Sequence, residues 1–214
     1  MKLRTLSFIF LGIVWLLLTF SSYAITSPPD SNELNVPCLG QQSDLVCWAA
    51  CGEMISTFYS KFGGELLTQC DQLVLDGKVC TDDYGRGTPI FNRDSTATHY
   101  SVEKEMDKFF SWKDIREQID AGHPFISKWG YGLEDNYYHF TITYGYTNIK
   151  SGYAGSYVCI IDPLPIRKGT TRTIPYSIYT RQEGSISMPG TSGSVKYKSH
   201  ENEYFNIFPI SPKE

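Results

Sequence analysis

The spacing of apolar residues changes once along this 214-residue chain, just after Gly122-His123-Pro124. Upstream, apolar side chains recur with a helical period of about 3.6, most clearly over residues 44–62 and 111–121. Downstream, the period falls to about two, and segments rich in β-branched and aromatic residues are separated by Gly, Pro and Asn. The predicted strands are 124–129, 138–146, 156–161, 172–179, 194–198 and 204–210. Helices first and strands later within one chain predict an α+β fold with an antiparallel sheet.

Both of the clear helices have signals at their ends. Ser43 or Asp44 is expected to cap the first helix, and Gly63-Gly64 is expected to end it. Ser111 and Gly122 are expected to bound the second helix in the same way. The other predictions upstream of the change are short helices at 66–75 and 102–109 and a long polar loop at 81–98.

The first 24 residues have the layout of an export signal and are expected to lie outside the fold. Lys2 and Arg4 form a basic start, residues 6–20 are mostly apolar, and Ser22 and Ala24 are small residues where a signal peptidase reads. An apolar run of 15 residues is shorter than the roughly 18–20 needed to cross a bilayer. A cleaved signal is therefore favoured over a membrane anchor, and we expect a secreted or periplasmic protein that leaves the membrane once the signal is removed.

Removal of that signal leaves 190 residues (214 minus 24), a length that fits one domain. Residues 25–37 contain prolines and no apolar period, so we expect an extended segment that leads into a single domain at 38–214. Without Lys2 and Arg4 the chain carries 17 basic and 23 acidic side chains, a net charge of about −6. There is no cluster of five or more Lys or Arg, which argues against nucleic acid and anionic membranes as partners.

All six cysteines lie in the exported part of the chain, where disulfides are allowed. Cys70 and Cys80 enclose a short polar segment and are the favoured pair. Cys47 and Cys51 stand at i and i+4 of one helix, a poor geometry for a bridge. The chain has neither a Cys-x-x-Cys nor a His-x-x-x-His spacing, so we expect no metal and no cofactor.

Residues 41–53 carry the pattern that a thiol nucleophile needs. Cys47 opens the first helix, where the helix dipole and the free N–H groups of the first turn favour a negative sulfur. Gln41 stands six positions earlier, so its side-chain amide can help those N–H groups to bind the oxyanion that the sulfur creates. Gln42 is the alternative for this role, and the spacing favours Gln41. Cys47 could instead be a buried structural thiol or half of a disulfide.

A catalytic thiol needs a base, and His139 is the best placed of the four histidines. It stands near the start of the strand at 138–146, where it can be aimed more accurately than a histidine in a loop. Asp162 ends the strand at 156–161 and could accept the second ring N–H of His139. Asn148 is the weaker alternative for this orienting role. The other histidines, His99, His123 and His200, are predicted to lie in loops or turns.

Together these elements resemble papain-like cysteine peptidases. The resemblance rests on Gln-x5-Cys-Trp-Ala-Ala at 41–50, Gly-His-Pro before a strand, a histidine at a strand start followed by Gly-Tyr, and a strand that ends in Asp-Pro. It is closest to the branch of bacteriocin-leader (double-glycine) peptidases and certain plant-pathogen effector proteases. It covers roughly residues 38–165 in blocks, and it implies that the helical half packs on an antiparallel sheet or half-barrel.

By this resemblance Gln41 is the oxyanion glutamine, Cys47 the nucleophile, His139 the base and Asp162 the orienting acid. The implied function is an exported thiol peptidase that acts as a monomer on a peptide or protein. The spacing of 22 residues between His139 and Asp162 is long for the family, and the absence of a fused transporter segment argues against leader processing. Two alternatives remain: a cysteine-dependent deamidase or transglutaminase-type toxin, and a catalytically silent binding module of the same fold.

Overall fold

A computed structural model describes residues 30–80, 99–106, 109–131, 138–149, 155–181, 186–187 and 196–209. Its described elements are helices and antiparallel strands, which confirms the predicted α+β class. The predicted signal (1–24) and the predicted loop (81–98) lie outside the described residues.

The described helices are α1 (Cys47–Ser60), α2 (Gln69–Leu75), α3 (Trp112–Asp120) and α4 (Tyr176–Tyr179). The described strands are β1 (Ser31–Glu33), β2 (Tyr100–Met106), β3 (Phe125–Tyr131), β4 (Tyr138–Ile149), β5 (Gly155–Asp162), β6 (Thr170–Pro175), β7 (Ile186–Ser187) and β8 (Lys196–Pro209).

The strands form one sheet in the order β2-β8-β3-β4-β5-β6, and each described pair is antiparallel. β4 is a central strand, and β5 pairs with it on one side. The first half of β4 pairs with β3, from Tyr138 to Thr143, and its second half pairs with β1, from Gly145 to Thr147. β1 comes from the segment predicted to be extended, so that segment is attached to the middle of the sheet.

Each face of the sheet contributes to its own hydrophobic cluster, because successive strand residues point to opposite faces. The first cluster joins α1 to Ile126, Phe140, Ile142 and Ile161. The second joins α3 and α4 to the alternate positions of β3 and β5, Phe125, Trp129, Val158 and Ile160, and to Tyr146 of β4, which follows the irregularity between Thr143 and Gly145. The helices that precede β3 are thus divided between two clusters rather than collected in one.

α1 is the best-covered helix, as its sequence predicts. Trp48, Cys51, Met54 and Ile55 are each at most 1 % exposed. Gly52 lies against α2, where a Cβ atom would come within 1.9 Å of the Gln72 side chain. A larger residue at this position would have to displace the Gln72 amide, which donates to the carbonyl of Ala49 on α1.

Three predictions about local structure are wrong. Val46, without a side-chain hydrogen bond, occupies the N-cap of α1 in place of Ser43 or Asp44. Residues 100–106 form β2 and not a helix, because pairing with β8 outweighs the helix propensity of Val102–Met106. The strand predicted at 172–179 ends at Pro175, and α4 follows it.

Two other local predictions agree with the structure. Ser111 caps α3 in a capping box with Asp114, and Gly122 follows the helix with φ of 81°. Cys70 and Cys80 form the predicted disulfide, while Cys38, Cys47, Cys51 and Cys159 are free thiols. None of the helices in the described ranges is both long and apolar enough to cross a bilayer.

Candidate active site

Cys47 is the first residue of α1, and its side chain is buried with 5 % of its surface exposed. The turn that leads into the helix contains Leu45 with φ of 66°, an uncommon conformation for a residue other than glycine. The first N–H groups of a helix have no partner within the helix. The sulfur of Cys47 therefore lies where backbone donors and the positive end of the helix dipole are concentrated.

The sheet brings His139 and Asp162 together from neighbouring strands. His139 is the second residue of β4 and Asp162 is the last residue of β5, and the register pairs Ile142, three residues after His139, with Ile161, one residue before Asp162. His139 Nε2 lies 2.8 Å from Asp162 Oδ1. Both side chains are buried, His139 at 4 % exposed and Asp162 at 0 %. The predicted bond between the imidazole and the carboxylate is present.

His139 also hydrogen-bonds the side chain of Cys47. Burial by itself lowers the pKa of His139. The negative charges of Asp162 and Cys47, with their hydrogen bonds, outweigh burial and raise the pKa of His139 to about 10. The geometry thus favours an imidazolium beside the Asp162 carboxylate, with the sulfur of Cys47, which is not in a disulfide, on its other side.

Arg172 continues this row as its fourth residue and was missed by the sequence reasoning. Arg172 lies on β6, is 8 % exposed, and its Nη2 is 3.5 Å from Asp162 Oδ2. Asp162 also accepts a hydrogen bond of 2.9 Å from the backbone N–H of Leu164. The signal was available, because Arg172 shares an alternating buried position with Ile174 on a strand whose other face is exposed.

Gln41 is buried, at 4 % exposed, whereas Gln42 is exposed. Gln41 Nε2 donates one hydrogen bond, of 2.8 Å, to the carbonyl of Ser43 in the turn before α1. Its second amide hydrogen is not used in that bond. Gln41 Oε1 is buried and has no hydrogen-bond partner among the described residues. Burial favours Gln41 over Gln42 for an oxyanion role.

The segment around Gln41 packs tightly against the turn that follows Asp162. The N–H of Gln41 donates to the carbonyl of Pro163 at 3.0 Å, and the carbonyl of Gln41 accepts from the N–H of Arg167 at 2.7 Å. Gly40 is so close to this turn that a Cβ atom would lie 2.1 Å from the backbone nitrogen of Lys168. Gln41 is therefore attached through the backbone to the strand that carries Asp162.

The alternatives for base and orienting residue lie elsewhere. His99 Nδ1 is 3.2 Å from Glu65 Oε2 and His123 follows α3, where burial lowers its pKa. His200 is in β8, where its backbone pairs with Trp129. Asn148 accepts a hydrogen bond from Ser156 near the far end of β4. Within the described parts of the chain, no group of three or more His, Cys, Asp or Glu side chains could hold a metal ion.

A sequence profile of the Peptidase_C39 like family matches residues 33–186, more than half of the chain. The chain belongs to this family. Membership suggests cysteine peptidase activity, and it is consistent with the resemblance to papain-like cysteine peptidases. No curated protein sequence matches the chain. The profile covers Gln41, Cys47, His139 and Asp162, whose individual roles stay predictions.

Proposed function

We propose that this member of the Peptidase_C39 like family is an exported thiol peptidase that cleaves peptide or amide bonds. Cys47 is the nucleophile, His139 the base and acid, Asp162 the orienting carboxylate and Gln41 an oxyanion donor. The observation that carries the proposal is the continuous row Cys47–His139–Asp162, in which a free thiol at a helix start is hydrogen-bonded to a buried imidazole that is hydrogen-bonded to a buried carboxylate.

The reaction follows from this row. The Cys47 thiolate forms a C–S bond with the acyl carbon, and the carbonyl electron pair moves to the oxygen. Backbone N–H groups at the start of α1 and the Gln41 amide bind that oxyanion. The C–N bond then breaks, and protonated His139 gives its proton to the leaving amine. His139 next takes a proton from water, and the water oxygen forms a C–O bond with the thioester carbon. The C–S bond then breaks, which releases the acyl group as a carboxylic acid and restores the thiolate.

Export is the second part of the proposal. It rests on the signal-like residues 1–24 and on the Cys70–Cys80 disulfide, which fits an oxidising compartment. The mature protein is then expected to begin at Ile25, to act as a monomer and to have no membrane contact. N-terminal sequencing of the exported protein and light scattering of the purified protein test these statements.

The decisive experiment compares peptide-library hydrolysis by the wild type and by Cys47→Ala. We expect the substitution to abolish cleavage, and we expect Cys38→Ala, which removes an exposed free thiol, to leave cleavage intact. Equal activity of the wild type and Cys47→Ala would show that Cys47 is not the nucleophile. The mass of the products separates a peptidase from a deamidase, because only the peptidase splits the chain.

An epoxide probe, mapped to the modified residue, tests the silent-module alternative. A functional site predicts fast labelling of Cys47. A catalytically silent scaffold predicts that Cys47 reacts no faster than an ordinary free cysteine, whose pKa is about 8.5.

A further inference from the structure

Gln69 is a second buried glutamine close to the segment that carries Gln41. It is the first residue of α2 and is 2 % exposed. Its Oε1 accepts a hydrogen bond of 2.9 Å from the N–H of Gln42, and its Nε2 donates at 3.2 Å to the carbonyl of Gly40. The two backbone groups that it binds therefore flank Gln41 on either side.

The same amide also reaches α1. Gln69 Nε2 donates a hydrogen bond of 2.8 Å to Glu53 Oε2, and Glu53 lies in the helix that begins at Cys47. Gln69 thus connects the Gln41 segment to the helix of the nucleophile. Its own position is well fixed, because Thr68 caps α2 in a capping box with Asp71 and the next residue, Cys70, is in the disulfide.

Gln41 has no helix or strand to position it. On one side it is bound by the turn after Asp162, and on the other side its neighbours are bound by Gln69. An oxyanion donor has to lie within roughly 2.7–3.1 Å of the developing charge, and a displacement of about 1 Å can cost about 100-fold in rate. Fixing the Gln41 segment relative to α1 is therefore a catalytic requirement.

We propose that Gln69 is a positioning residue, which holds the Gln41 amide at the correct distance from the Cys47 thiol through Gly40, Gln42 and Glu53. The inference rests on the proposed thiol peptidase function. Gln69 acts through Gln41 and not on the substrate, because its amide oxygen and nitrogen are both engaged and its side chain is buried.

A double-mutant cycle between Gln69 and Gln41 tests this proposal with a fluorogenic peptide substrate. Gln69→Ala is expected to lower kcat about tenfold with KM nearly unchanged. In the Gln41→Ala background the same substitution is expected to change kcat less than about twofold, because the group that it positions is gone. A tenfold loss in both backgrounds would overturn the proposal.

Gln72→Ala is the matched control, because it also removes a buried amide from α2. Gln72 donates to the carbonyls of Ala49, Leu67 and Thr68 and binds neither neighbour of Gln41. Any loss of kcat from this substitution is expected to be the same with and without Gln41. Loss of the Gln72 effect in the Gln41→Ala background would show that general loosening of α2 produces the coupling.

A reciprocal exchange keeps the test informative if Gln69→Ala folds poorly. Gln69→Glu alone places two carboxylates together and removes the donor to the Gly40 carbonyl, whereas the pair Gln69→Glu with Glu53→Gln restores the hydrogen bond between residues 53 and 69 but not the one to Gly40. We expect the pair to recover the part of kcat that the repulsion between the two carboxylates costs, and to stay below the wild type because the Gly40 carbonyl still lacks its donor. No recovery by a folded double variant would contradict the proposal.

A peptidyl aldehyde separates this inference from the proposed function. The Cys47 sulfur adds to the aldehyde carbon and creates an oxyanion, whereas alkylation by iodoacetamide creates none. We expect Gln69→Ala to weaken aldehyde binding about tenfold and to leave the alkylation rate of Cys47 nearly unchanged. If the wild type neither cleaves peptides nor binds the aldehyde, the proposed function fails. If the wild type does both and Gln69→Ala matches it, only the role of Gln69 fails.

Discussion

His139 and Asp162 lie on neighbouring strands of one sheet, whereas Gln41 lies in a segment without regular secondary structure. The relative position of the first pair is set by the antiparallel ladder between β4 and β5 and by buried charges. The position of Gln41 depends on two backbone hydrogen bonds to the turn after Asp162 and on the side chain of Gln69. The base side of the site (His139 and Asp162) is thus held in place by many cooperative interactions. The oxyanion side (Gln41) is held in place by few.

This contrast predicts where the site is vulnerable. A conservative change on the base side should alter the pKa of His139 and leave the positions of the side chains unchanged, because the hydrogen bonds between β4 and β5 remain. A change of similar size near Gln41 should alter geometry, because few other bonds define it. The predictions below test this contrast.

Among the variants that test this contrast, the largest effect is expected for Gly40→Ala. The added Cβ would lie 2.1 Å from the backbone of Lys168, so the Gln41 segment or the turn has to move. We expect kcat/KM to fall by up to about 100-fold, while alkylation of Cys47 by iodoacetamide changes much less. Gly155→Ala is the control, since its Cβ would meet only Tyr157 at 3.4 Å. Equal activity of the two variants would show that the Gln41 segment tolerates displacement.

The next effect is expected for Asp162→Asn, measured as kcat/KM against pH. Asp162 helps to raise the pKa of His139 to about 10. The wild type is therefore expected to keep His139 protonated until the pH rises through about 10, and to lose activity above it. Without the carboxylate charge the pKa of His139 falls, so the alkaline loss of activity moves to lower pH, with a loss of roughly tenfold near neutrality.

A second variant accounts for Arg172, which would keep a buried charge without its partner Asp162. Asp162→Asn combined with Arg172→Met removes both charges. In this double variant the alkaline loss of kcat/KM should also occur at a lower pH than in the wild type. If both variants lose kcat/KM at the same alkaline pH as the wild type, the Asp162 charge does not raise the pKa of His139.

The smallest effect on catalysis is expected for the joint replacement Cys70→Ala and Cys80→Ala. The disulfide closes a loop between residues ten apart in sequence, which corresponds to about 2.5–3 kcal/mol in the free energy of unfolding. Denaturant unfolding should show this loss, while the activity of the folded protein at low temperature falls less than in Gly40→Ala. An activity loss as large as that of Gly40→Ala would show that the disulfide itself positions the oxyanion segment.

Much of the fold could be predicted from local patterns. The apolar period of α1 predicts its burial, and Ser111 and Gly122 predict the ends of α3, because caps and periodicity are properties of nearby residues. The prediction of a helix at 102–109 is wrong because its outcome depended on β8, about 100 residues later. Long-range pairing of this kind leaves no signal in a short window.

The candidate site divides in the same way. Cys47, Gln41, His139 and Asp162 could be named because a helix start, a fixed spacing and strand ends are visible in the sequence. Arg172 and Gln69 were missed. Arg172 could have been found from the alternation of buried and exposed residues in its strand, whereas no local pattern indicates Gln69. Nothing near Gln69 in the sequence indicates Gly40, Gln42 or Glu53 as its partners.

The sequence by itself determined the α+β class, the Cys70–Cys80 pair and the residues suited to thiol chemistry, because periodicity, spacing and residue type are local properties. Only the tertiary structure decided that Cys47, His139 and Asp162 share one hydrogen-bonded row and that Gln69 joins the Gln41 segment to α1. Those contacts connect residues that are 16 to 92 positions apart. They depend on strand register and helix packing, which the whole chain sets together.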